Sequence, residues 1–313
     1  MLVQVVILIL SIAALYFGAE FALDGAEKIG RFFGLSPLVI GLVLIGFGTS
    51  LPEFFVSQIA CQNGEPGIAL GNIIGSNIAN LFLIMGLSGV IAPLYILQNE
   101  IKRQLLIHLA LTILLAAIVL KLGITTLTTT MLLSFFIFFL WDTLNQMKKE
   151  RRLRVVDEED EEEVEKLELL LFGKLIAGFV LLYIGGDYLV SSGSSLGKLA
   201  GVPSYVISAV FVAFGTSFPE LVTALIACWK KKNTDLITGN IIGSNIFNVA
   251  FVMGSIGFYD ISIDQSFNVE MIALGFASLF LLGSVVVKKN FGKFGGFTFL
   301  SGYGLVVYYW VSS

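Results

Sequence analysis

Ten long apolar runs, separated by short polar breaks, organise the chain: about residues 2–23, 36–61, 68–90, 104–120, 126–147, 172–195, 203–228, 236–258, 269–287 and 295–311. Each approaches the ~20 residues an α-helix needs to cross the hydrocarbon of a bilayer. Only helices and closed barrels satisfy their own backbone groups there. The pattern therefore predicts an all-α, polytopic membrane protein with ten transmembrane helices. The first run, MLVQVVILILSIAALYFGAEFAL, has no basic residue before it and no small-residue cleavage site, and reads as a retained helix and not a signal peptide.

The polar positions inside these runs repeat. LYFGAEFALDGAEKIG (15–30) is similar to LYIGGDYLVSSGSSLG (182–197), GFGTSLPE (46–53) to AFGTSFPE (213–220), and GNIIGSNIAN (71–80) to GNIIGSNIFN (239–248). Nearly identical strings in the same order mark a duplicated five-helix unit: residues 1–147 and 172–313, joined by a charged loop at 148–171. Five is odd, so the second unit must enter the membrane inverted. Inverted repeats are characteristic of secondary transporters, whose sites lie near the midplane at the repeat interface.

Charge fixes the orientation. Of the 19 Lys and Arg, 17 fall in one alternating set of loops and only Lys121 and Lys198 in the other. By the positive-inside rule both termini lie outside and the 148–171 loop is cytoplasmic. The loop after the first GTSLPE run, QNGEP, has no basic residue, whereas its counterpart WKKKN has three. Equivalent loops thus face opposite compartments. Within 148–171 a basic half, KKERRLR, precedes DEEDEEE. Such blocks are usually solvated, and the basic half suits anionic lipid.

Composition narrows the class. Hydrophobic residues make up 56% of the 313, mean hydropathy is +0.90, and charged residues are only 13% against about 25% in soluble domains. A soluble enzyme, a disulfide scaffold and a nucleic-acid binder are excluded. The two cysteines, Cys61 and Cys228, are expected at opposite sides of the bilayer, where they cannot pair.

Glu53 and Glu220 lie deep inside their runs, where an ionised carboxylate costs at least about 2.5 kcal/mol unless compensated. Thr49 and Thr216 each precede them by four residues and share their helix face; Ser50 and Ser217 lie one position round. Pro52 and Pro219 lack an N–H, so the carbonyls of Gly48 and Gly215 are expected to lose their helical partners. The GNIIGSN segments add Ser76, Asn80, Ser244 and Asn248, with Asn72, Asn77, Asn240 and Asn245 available to tie helices together. Gly71, Gly75, Gly239 and Gly243 allow close helix packing. All these donors are oxygen, and neither motif holds His or Cys, which argues against zinc, copper or iron. Two glutamates balance one Ca²⁺, two Na⁺ or two protons, and calcium favours flexible oxygen cages. Glu20 and Asp187, matched across the repeat, fit either an ion-pathway mouth or a packing contact. His108 reads as a packing or lipid-interface residue.

The paired GTSLPE/GTSFPE and GNIIGSN motifs resemble the repeats of the cation/calcium antiporter superfamily, and its prokaryotic sodium/calcium exchangers in particular. That resemblance implies that Glu53 and Glu220 are shared Ca²⁺/Na⁺ ligands, joined by Thr49 and Thr216 around calcium. It places Ser50, Ser76, Ser217 and Ser244 in flanking Na⁺ sites with carbonyls near Gly46 and Ala213, and Asn80 and Asn248 at the centre. The hydroxyls of GTSxPE favour sodium over protons as counter-ion, and two central amides in place of an aspartate argue against potassium dependence. The expected function is Na⁺-driven Ca²⁺ antiport in the cell membrane, with no enzymatic activity, no cofactor, no nucleic acid and no obligate protein partner. Proton/calcium exchange is the alternative, with a passive cation channel or an intramembrane enzyme further off.

Overall fold

The computed structural model describes residues 2–96, 99–157, 169–199, 201, 215–259, 261, 263 and 266–312. The described chain forms ten helical segments, one for each apolar run. They are α1 (Leu2–Phe32), α2 (Pro37–Gln62), α3 (Pro66–Ile91), α4 (Asn99–Leu122), α5 (Thr126–Asp157), α6 (Leu169–Leu199), α7 (Phe218–Trp229), α8 (Thr234–Ile256), α9 (Asn268–Val286) and α10 (Lys293–Ser312). Eight are long and apolar enough to cross a membrane; α7 is the described end of the seventh run, and α10 has 20 residues. The sole β feature among the described residues is one bridge, Leu94 to Phe291, which ties the α3–α4 loop to the α9–α10 loop.

Sequence chemistry sets the ends. Ser36 caps α2 by accepting the Val39 N–H, with Pro37 in the first turn, where its missing donor is not needed. Asn233 caps α8 by accepting the Asp235 N–H. Helix α5 runs on to Asp157, so the basic KKERRLR stretch is helical and not loop. The acidic run beyond it lies outside the described residues.

The helices sort into two layers of burial. Helix α8 is the axis of the molecule and almost wholly buried, whereas α1 and α6 are buried over only about a fifth of their most apolar stretches. These two outer helices lie antiparallel: Gly18 abuts Gly178 and Leu182, Gly25 abuts Leu175, and Gly185 abuts Leu15. Leu2, Ile9, Ile137, Ile176, Ile272 and Leu305 are exposed, as lipid-facing side chains should be.

At the axis, backbone meets backbone. A Cβ on Gly239 would stand 2.3 Å from the Leu38 carbonyl, and one on Gly243 2.2 Å from that of Leu42; Gly41 is equally tight against Leu236. Glycine from both repeats thus lets α2 and α8 touch. Gly71 and Gly75, their counterparts in α3, meet nothing within 4 Å and face a cavity instead. Phe47, Phe136, Phe247 and Phe251 wedge α2, α5 and α8 together with ring centroids 4.9–6.0 Å apart.

Candidate cation site

Helix α2 breaks where the threonine, serine and proline meet. Gly46–Thr49 is helical, Ser50 is not (φ −88°, ψ 7°), and a new helix starts at Leu51. The same non-helical conformation recurs at Ser217, just before α7, with φ −88° and ψ 5°. Pro52 and Pro219 sit in the first turns after these breaks, and so do Glu53 and Glu220. Each carboxylate is therefore held at the positive end of a half-helix. The freed Gly48 carbonyl expected from sequence is partly engaged, since the Ser50 N–H turns toward Gly46 and Gly48. The π-helical stretches Ala79–Met85 and Phe247–Met253 carry Asn80 and Asn248, and such bulges frequently mark functional positions.

The two breaks face each other and exchange hydrogen bonds. Ser50 donates to Glu220 Oε1 at 2.8 Å, and Ser217 donates to Glu53 Oε1 at 3.3 Å. Thr49 contacts Asn240 Oδ1 at 3.4 Å, and Thr216 donates to Asn72 Oδ1 at 2.9 Å. Ser76 lies 3.2 Å from the Thr216 hydroxyl, while Ser244 donates to the Gly46 carbonyl at 3.0 Å. Asn80 donates to Asn245 Oδ1 at 3.0 Å. Of the twelve positions singled out in sequence, these contacts join nine: Gly46, Thr49, Ser50, Glu53, Ser76, Thr216, Ser217, Glu220 and Ser244. Asn80 meets only Asn245, the Asn248 side chain has no hydrogen bond, and Ala213 lies outside the described residues.

Several polar atoms here are left over. Glu53 and Glu220 are both fully buried, and each keeps one oxygen, Oε2, without a hydrogen-bond partner. Asn80 Oδ1 and both polar atoms of Asn248 are also buried and unpartnered. Among the described residues neither glutamate pairs with a Lys or Arg, and the two carboxylates are close enough to repel each other. Each orphaned group costs about 1–3 kcal/mol, and more when charged. A hard cation accepting these oxygens would remove that cost. The donor set fits such a cargo.

Two amides outside the expected ligand set brace it. Asn72 donates to the Glu53 carbonyl and to Ser57, bracing the first break from behind. Asn245 bonds Asn80, the Asn77 carbonyl and His108 Nε2, while Ser278 contacts His108 Nδ1. His108 is 3% exposed, which favours the packing reading over the lipid-interface one: it is the buried end of a chain leading to the central amides. A single histidine on an apolar helix carries no periodic signal that could have shown this.

A cavity of about 630 Å³ approaches the site from one end of the bundle. Pro52, Asn72, Thr216 and Pro219 line its inner part; Asp187, Glu270, Tyr309 and Trp310 also line it. Asp187 therefore lines the same cavity as Asn72 and Thr216. Its repeat counterpart Glu20 does not; it pairs with Lys230, while Glu27 pairs with Lys232 and Asp24 with Lys174. Glu270 was not singled out in sequence.

The sodium/calcium exchanger protein family model matches residues 3–144 and 170–311, one match for each repeat. The chain belongs to this family. As a family member it is a membrane transporter of the exchanger type, built as two inverted repeats. It is 32% identical over 301 residues to an uncharacterised membrane protein of Methanocaldococcus jannaschii, covering 96% of this chain and 95% of that one. It is 32% identical over 300 residues to the sodium/calcium exchanger MaX1 of Methanosarcina acetivorans, covering 84% and 85%. A solved structure of the sodium-calcium exchanger NCX_Mj, soaked without Na⁺ and Ca²⁺, superposes with a TM-score of 0.82 at 30% identity, covering 98% of this exchanger-family chain and 99% of NCX_Mj.

Proposed function

We propose that this chain is a secondary active antiporter exchanging Ca²⁺ for Na⁺ by alternating access to the site between the two helix breaks. The observation that carries this reading is the reciprocal pairing of Ser50 with Glu220 and Ser217 with Glu53, which leaves one free oxygen on each buried carboxylate. The kinship with MaX1 and NCX_Mj supports it.

In this reading Glu53 and Glu220 are shared by both ions. Thr49 and Thr216 complete the calcium cage, and Ser50, Ser76, Ser217 and Ser244 with the Gly46 and Ala213 carbonyls hold sodium on either side. Asn80 and Asn248 close the centre. Two negative charges accommodate one Ca²⁺ or two Na⁺ near neutrality; in a low-dielectric interior both together would be strongly repulsive. Occupancy is then mutually exclusive, which is the basis of exchange. The units 1–147 and 172–313 act as the two inverted halves. The tightly packed α2–α8 axis stays fixed while the outer α1–α6 pair moves against it. The lysine-rich end bearing the 148–171 segment is cytoplasmic and the termini are outside, so the cavity opens outward. The NCX_Mj structures are described as capturing extracellular ion exchange and binding-site occlusion, which supports an outward-open form here.

The test is ⁴⁵Ca uptake into sodium-loaded proteoliposomes. Wild type should accumulate calcium only when a sodium gradient is imposed, and Glu53→Gln or Glu220→Gln should abolish uptake. Normal exchange in both variants would refute the assignment, and uptake driven by a pH gradient without sodium would reassign the counter-ion to protons.

A further inference from the structure

Glu270 stands apart from the central site yet shares its chemical predicament. It lies in the first turn of α9, is 6% exposed, and lines the cavity that reaches Thr216 and Asn72. The Trp310 indole N–H donates to its Oε1 at 2.6 Å, while Oε2 is buried with no hydrogen-bond partner. Asp187, exposed on α6, lines the same cavity. Among the described residues no Lys or Arg pairs with either acid.

The arrangement has a directional logic. The indole holds one oxygen still, which fixes the carboxylate beside the cavity with its second oxygen unpartnered at little further entropic cost. A cavity with low-dielectric walls focuses the field of the two acids and raises the local cation concentration. The donors are oxygen and the net charge is negative, which selects hard cations over soft metals.

We infer that Glu270, with Asp187 across the cavity, forms an outer binding site for Ca²⁺, which a cation occupies before it reaches Glu53 and Glu220. The site rests on the transport reading for its purpose, but not for its binding. Two of its features are independent of exchange: the orphaned carboxylate oxygen and the indole beside it.

That indole supplies the assay. Tb³⁺ replaces Ca²⁺ at oxygen sites and emits when an excited tryptophan is nearby. In full-length protein carrying Glu53→Gln and Glu220→Gln, tryptophan excitation should still give Tb³⁺ emission that Ca²⁺ displaces. Adding Glu270→Gln should remove it, adding Trp310→Phe should remove its sensitisation, and adding Asp187→Asn should weaken Tb³⁺ binding about tenfold. In the otherwise wild-type exchanger, Glu270→Gln should raise the external Ca²⁺ for half-maximal uptake by a similar factor. Emission that is unchanged by Glu270→Gln, or already lost when only the central glutamates are altered, would overturn the outer site. A transporter inactive with sodium but showing Glu270-dependent emission would keep this site and reject the exchange reading.

Discussion

Ser50 and Ser217 occupy the same place in the two repeats but do not bond equally well. Ser50 reaches Glu220 at 2.8 Å, Ser217 reaches Glu53 at 3.3 Å. A hydrogen bond to a charged group is worth about 1.5–3 kcal/mol when its geometry is good, so Ser50→Ala should impair the site more than Ser217→Ala. The expected outcome is a rise in half-saturating sodium of about tenfold or more for Ser50→Ala and a smaller rise for Ser217→Ala, read from sodium-dependent calcium efflux. Equal effects would mean that the serines act only by direct cation contact. The polar pairs were legible in sequence because each is written twice, in order, inside apolar runs. Glu270 and His108 were not, because neither is repeated and each sits where one polar residue has no period to betray it. Their roles depend on Trp310, Asn245 and Ser278, which come from distant parts of the chain.

At the scale of elements, the two GNIIGSN helices show how one sequence pattern serves two environments. Gly239 and Gly243 in α8 touch the α2 backbone, whereas Gly71 and Gly75 in α3 face open cavity. Gly239→Ala should therefore lower the melting temperature of the detergent-solubilised protein by several degrees. Gly71→Ala should leave it unchanged or raise it, since alanine stabilises a helix by about 1 kcal/mol relative to glycine. The strings alone could not separate these cases, because the difference lies in the partner and not in the motif. The apolar runs did locate every described helix, since bilayer thickness dictates run length. They could not place the π-helical turns at Asn80 and Asn248, which have no residue signature. The Ser50 break was anticipated from Pro52, but the return of the Ser50 N–H toward the Gly48 carbonyl was not.

For the whole molecule, inversion makes each end a record of what the other becomes. Asp187 lines the accessible cavity, while Glu20, its counterpart, is paired with Lys230 at the opposite end. With Glu27–Lys232, this contact ties α1 to the segment after α7. Exposed ion pairs contribute about 0.2–1 kcal/mol each. Replacing Lys230 and Lys232 with Ala should therefore shift the population toward the oppositely open form by a factor of about two to thirty. Hydrogen–deuterium exchange would show it as increased protection of 183–190 and 266–272 with decreased protection of 20–30; no change would mean that these pairs do not hold the closed end.

The glycine contact between α1 and α6 has a mechanical consequence. Gly18 and Gly178 bring backbone against backbone, with a would-be Cβ on Gly178 only 2.5 Å from the Ala22 nitrogen. Side-chain ridges normally lock neighbouring helices into register like gear teeth; here the teeth are filed down along a strip of the shared surface. Such a pair, held backbone to backbone, can travel as one body against the α2–α8 axis. A bulky residue at Gly18 would wedge the pair apart, slowing turnover while leaving equilibrium cation binding at the centre of the molecule as it was.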